Sequence, residues 1–127
     1  MAIILQFIEK ELAKAENNYS RVQASPEQKI VIDQLAELLS KHTGMPKLPM
    51  KGFLWKAMRD WQLKNNTACH VVLELPYAER LKKVAEMLTI LEENYLSKVL
   101  KNSIDQYRLR RAIDAAFTHY QSIAPKW

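Results

Sequence analysis

Two glycines in 127 residues, Gly44 and Gly52, constrain the fold of this chain more than any other feature. Tight turns between β-strands rely on residues that accept left-handed backbone, glycine above all. A sandwich or barrel needs many such turns, so this glycine poverty argues against all-β architectures. It also excludes phosphate-cradling loops built from several glycines. The chain must therefore make its core from helices. Its length is that of one domain, spanning residues 1–127. A domain of this size buries ~65% of its unfolded surface, enough to fold without a metal or a disulfide.

Apolar periodicity places the helices. Leu5, Ile8, Leu12, Ala15, Tyr19 and Val22 are spaced by three and four residues, a heptad-like stripe over the first segment. Ser25-Pro26-Glu27-Gln28 is a capping box with proline at the first helical position. The helix it opens carries Val31, Leu35, Leu38 and His42 on one face and closes at Gly44. The stretch from Thr43 to Gly52 holds both glycines and two prolines and reads as the main loop. A helix over about 53–64 follows, with Leu54, Met58 and Trp61 on one face and Trp55, Arg59 and Leu63 on a second row. Asn65-Asn66 marks a turn, and residues 67–75 read as a short helix, since no second β-rich segment could pair with them. From Pro76 a long stripe runs through Tyr77, Leu81, Val84, Leu88, Leu91, Tyr95 and Val99. Ser103-Ile-Asp-Gln106 caps a last helix to about Ile123. Stripes of this kind bury themselves against one another, which predicts an all-α, compact antiparallel bundle of five to six helices.

The formal charge of +5 is not spread evenly. Residues 41–64 carry Lys41, Lys47, Lys51, Lys56, Arg59 and Lys64 against Asp60 alone, which is itself a net +5. The same segment holds Met45, Met50, Met58, Phe53, Trp55 and Trp61. Lysines steer an approaching partner, and methionine and tryptophan supply adaptable contact. Lys47, Met50, Lys51, Phe53, Trp55, Lys56 and Arg59 are therefore the candidate partner-binding residues, Trp55 being placed to stack with Arg59. The plainer account is that the apolar members are core and the lysines a solvated face. A secondary basic patch comprises Lys101, Arg108 and Arg111, beside an Arg110 spaced to pair with Asp114.

Catalytic constellations are not evident. Cys69-His70 places a thiol beside an imidazole, but adjacent side chains rarely meet at one spot, and a buried inert thiol is the simpler reading. His42, His70 and His119 have no metal-ligand spacing. Glu92 and Glu93 diverge on a helix and read as a solvated face rather than an acid–base pair. Pro46-Lys-Leu-Pro49 fits a PxxP ligand, though a stiff turn explains it as well. The expectation is a protein that is not an enzyme and takes no cofactor or metal: an adaptor, inhibitor or regulatory subunit. Its partner is another protein with an acidic or mixed surface. The alternative is a nucleic-acid-binding protein using the basic clusters at 41–64 and 101–111. Self-association through the heptad-like first segment is a further option. A single cysteine, and no run of the ~20 apolar residues a membrane span requires, make a cytoplasmic or otherwise intracellular setting the default.

Overall fold

The computed structural model describes residues 26–126. The heptad-like stripe from Leu5 to Val22 and the cap at Ser25 lie outside the described residues. Within them the protein is all-helical and contains no strand. Helix α1 spans Pro26–Thr43 and α2 spans Lys47–Asn65. A 3-10 helix, Cys69–Glu74, connects α2 to α3, Tyr77–Ile90. The chain runs on through a π-helical turn, Leu91–Leu96, and a closing α-turn, Ser97–Val99, before α4, Ser103–Ile123. Helix α1 packs on α2 and α4, and α3 packs on α2 and α4.

The main loop is much shorter than the sequence suggests. Only Gly44, Met45 and Pro46 separate α1 from α2, and the expected loop residues 47–52 are helical. Pro49 is tolerated because Pro46 is the N-cap, so Pro49 falls among the first amides, which have no helical acceptor anyway. Gly44 takes the left-handed conformation (φ 78°) that closes α1, and its N–H donates to the Ser40 carbonyl at 2.9 Å. The Ser40 hydroxyl donates to the Met45 carbonyl, and the Met45 N–H to the Thr43 hydroxyl at 3.2 Å. An extended PxxP ligand does not form, since Pro49 is part of a helix.

The long stripe after Pro76 also differs from the expectation. Leu88 and Leu91 are buried as the spacing predicts, but the next buried residues are Leu96 and Leu100, while Val99 is 53% exposed. The step of five from Leu91 to Leu96 is the signature of the π-helical turn, which admits one extra residue and rotates the buried face. The last helix is capped one residue earlier than the box at Ser103 implies. Asn102 is the N-cap, its side-chain oxygen accepting from the Asp105 N–H at 2.8 Å. Of residues 67–75, expected to form a short helix, Cys69–Glu74 do so, in tighter 3-10 form between extended residues at Ala68 and Leu75.

The core is formed by Ile32, Leu35 and Leu39 of α1, Met50, Leu54, Met58 and Trp61 of α2, and Leu109, Ile113 and Tyr120 of α4, with Leu88, Leu91 and Leu96 from the α3 run. Met50 is fully buried, and the sequence reading of it as a surface contact is corrected: helix formation from Lys47 turns it inward, four residues before Leu54. Its neighbour Leu48 is 80% exposed. Met50→Ala is therefore expected to lower unfolding free energy by about 2–5 kcal/mol, and Leu48→Ala by no more than about 0.5 kcal/mol. Paired urea titrations read the difference; equal effects would restore the loop.

Candidate functional site

Once α2 begins at Lys47, its sides sort by angle. The inner side is buried: Met50, Leu54, Ala57, Met58, Trp61 and Gln62. Opposite it, Leu48, Gly52, Lys56, Arg59 and Leu63 recur at steps of four, four, three and four. Leu48 is 80% and Leu63 47% exposed, with Gly52 and Lys56 open between them. A Cβ added at Gly52 meets nothing within 4 Å, and its backbone requires no glycine. Alanine in an exposed helix interior is favoured over glycine by about 0.5–1 kcal/mol, so Gly52 is a flat place kept at a cost in stability.

The flanks of α2 are organised by ions and rings. On the α1 side, Asp33 accepts from Lys47 at 2.9 Å and lies 3.2 Å from the Lys51 ammonium. Those two lysines hold the Asp33 carboxyl below its ordinary value. On the other side the π-turn delivers Tyr95. Its ring lies 5.8 Å from that of Phe53, and its hydroxyl donates to Asp60. Burial, then the Asp60 carboxylate, pushes the Tyr95 phenol up. The Lys56 ammonium sits 5.7 Å above the Phe53 ring. Arg59 turns to Asp60 at 3.5 Å instead of stacking on Trp55, which packs half-buried against the core.

The seven expected contact residues thus divide. Lys56 and Arg59 share the open side, Phe53 joins the Tyr95 flank, Lys47 and Lys51 lie towards α1, and Trp55 packs half-buried against the core. Met50 faces the core. Leu48, Leu63 and Tyr95 were missed. Leu63 already shares a row with Arg59 in the sequence, Leu48 is found by extending the helix back to Lys47, and Tyr95 is placed by a π-turn with no visible pattern.

The secondary patch is more dispersed. Lys101 and Arg108 are exposed, and Arg111 donates to its helix neighbour Tyr107 at 3.1 Å. Arg110 is held by Glu92 at 3.2 Å and by Asp114 at 3.8 Å, the latter as its spacing predicts. His119 lies 3.2 Å from the Gln34 amide oxygen, and His42 ends α1. Among the described residues no three His, Cys, Asp or Glu side chains gather as a metal site. No described helix is long and apolar enough to cross a membrane.

Behind the inner side of α2 lies a second feature, a cavity of about 370 Å³. Val31 and Leu35 of α1, Met58 of α2, Val84 and Met87 of α3 and Ile123 of α4 line it. Gln28, Cys69, Tyr120 and a buried Arg80 are the polar side chains of its lining, and the Arg80 guanidinium donates to the Pro125 carbonyl.

Cys69 is 3% exposed, and its thiol donates to the Met58 carbonyl at 3.5 Å. Burial pushes it up to about 12, so it is protonated at neutral pH and a poor nucleophile. The side chain of His70 lies outside the described residues. No protein-family model, curated protein or solved structure matches the chain.

The raised Cys69 value has a thermodynamic consequence. Above pH 9 the thiol ionises in the unfolded chain while the folded chain still holds its proton, so stability falls as pH rises towards 12. The slope from this group reaches roughly 1.4 kcal/mol per pH unit. Cys69→Ala should lessen the decline between pH 9 and pH 11 in denaturant titrations; an identical decline in both proteins would place the thiol in water.

Proposed function

We propose that this protein is a non-enzymatic interaction module, an adaptor, inhibitor or regulatory subunit, that binds a partner protein across the open side of α2. The observation that carries this reading is the strip of Leu48, Gly52, Lys56, Arg59 and Leu63. It combines exposed apolar groups, cations and a glycine that stability alone does not favour. Two exposed leucines flanking a bare backbone fit the ridge of a crossing helix, and Gly52 lets its backbone approach closely. Lys56 and Lys64 favour an acidic border on that partner. Phe53 and Tyr95 form the adjoining rim.

Pairing within the protein favours a protein partner over nucleic acid. Lys47, Lys51, Arg59 and Arg110 each have a carboxylate within 4.0 Å, which weakens them as phosphate contacts. The same reading takes the whole chain as one intracellular domain, an antiparallel bundle of five to six helices.

A variant carrying Leu48→Asp, Lys56→Glu, Arg59→Glu and Leu63→Asp tests the strip. It should retain its circular dichroism and lose the proteins captured by the wild type in nuclease-treated extracts. Single truncation of Leu48 or Arg59 should weaken a purified partner by about 1–2 kcal/mol, roughly tenfold in Kd. Undiminished capture by the fourfold variant would overturn the assignment. Tight, steeply salt-dependent oligonucleotide binding would favour nucleic acid instead.

A further inference from the structure

We propose that the outer side of the first turns of α4 docks on the surface of a bilayer that contains anionic phospholipid. Ile104, Tyr107, Arg108 and Arg111 sit at the i, i+3, i+4 and i+7 positions of α4, so they form one stripe along it. The stripe lies opposite Leu109, Ala112, Ile113 and Ala116, which are buried. Ile104 is 66% and Tyr107 62% exposed, and the turn leading into α4 adds exposed Lys98, Val99 and Lys101. Apolar residues scattered singly over a surface need no explanation. Val99, Ile104 and Tyr107, interleaved with four cations over one short stretch of chain, are a patch.

The charge of the patch is open to a ligand. None of Lys98, Lys101, Arg108 and Arg111 pairs with a carboxylate among the described residues, in contrast to Lys47 and Lys51 of α2. Arg111 donates to the Tyr107 hydroxyl at 3.1 Å and lies 5.8 Å from the centre of its ring, which orders both side chains without cancelling the charge. Asp105, the acid within the stretch, is tied to the Asn102 side-chain amide at the helix cap. Anionic headgroups complement the cations, and the acyl layer beneath them receives Ile104 and the Tyr107 ring. Long Lys and Arg stems let the charges stay at headgroup level while their apolar neighbours sink below it. Nucleic acid offers phosphates but nothing to Ile104 and Val99, and a protein would need a pocket shaped to them. A bilayer supplies both media over a flat surface. Helices α2 and α4 lie across the bundle from one another, each packed on α1 and α3. Docking through α4 therefore leaves the α2 strip turned away from the membrane, and neither proposal depends on the other.

Vesicle flotation of the full chain tests the docking. The protein should float with phosphatidylcholine vesicles that contain phosphatidylserine, stay behind with phosphatidylcholine alone, and be released by added salt. Lys101→Gln should weaken binding about fivefold, and Lys101→Gln, Arg108→Gln and Arg111→Gln together about a hundredfold. Ile104→Asn, at unchanged charge, should weaken it roughly tenfold. All four side chains are exposed, so the variants should keep the circular dichroism of the wild type. An environment-sensitive dye on Ile104→Cys should shift to the blue on the serine-containing vesicles, and the same dye on Leu48→Cys should not; Cys69 is buried and stays unlabelled. Failure to float, undiminished flotation of the triple variant, or an equal shift at Leu48 would overturn the proposal. Undiminished binding of Ile104→Asn would overturn it as well, leaving adsorption by charge without insertion. Binding of an oligonucleotide or an acidic peptide that the triple variant loses, without flotation, would give the patch to nucleic acid or protein instead.

Discussion

Two consecutive side chains near the end of α2 hold the structure together. Trp61, 2% exposed, fills the core with its ring and donates its indole N–H to Glu86 of α3 at 2.8 Å. Gln62, 1% exposed, accepts the Cys69 N–H at 2.8 Å and so fixes the start of the 3-10 helix. The Gln62 carbonyl also receives the N–H groups of Asn66, which is left-handed (φ 51°), and of Thr67. One residue thus anchors α2 to α3 while the next sets the reversal that lets α3 reach it. A buried amide is tolerable only when its hydrogen bonds are met, and the reversal supplies the donor to its oxygen.

With the inner side of α2 committed to the core, geometry dictates what its outer side presents. A helix buried along one stripe exposes the opposite one, and here that stripe is neither uniformly polar nor crossed by another described helix. The π-turn adds to this division. By admitting an extra residue it buries Leu96 and Leu100 and brings Tyr95 against Phe53 and Asp60. The edge of the outer surface is therefore shaped by a defect in a neighbouring helix. π-turns commonly occur where function requires a side chain to be re-aimed.

Much of this was legible from residue order. Leu54, Met58 and Trp61 are buried as their spacing implies, Gly44 closes α1 in the left-handed conformation, and Asn66 turns the chain. The start of α2 was not legible, because two prolines and two glycines between Thr43 and Gly52 mimic a loop. Only the position of Pro49 within the first helical turn reconciles proline with helix. Met50 was misplaced for that reason. The π-turn was hidden because steps of three and four through Tyr95 and Val99 fit an unbroken helix equally well. The cavity behind α2 joins residues from four helices and the 3-10 segment, a convergence that no one-dimensional pattern carries.

Both the core and the outer strip depend on α2 being a continuous helix whose inner side is the centre of the core. Residue-resolved amide hydrogen exchange on the intact chain measures that most directly. Amides from Leu54 to Gln62 should exchange only through global unfolding, and protection should extend back through Lys51, Gly52 and Phe53. Exchange of residues 51–53 at the rate of an unstructured peptide, beside a protected 54–62, would return that stretch to a loop and dissolve the strip built on Leu48 and Gly52.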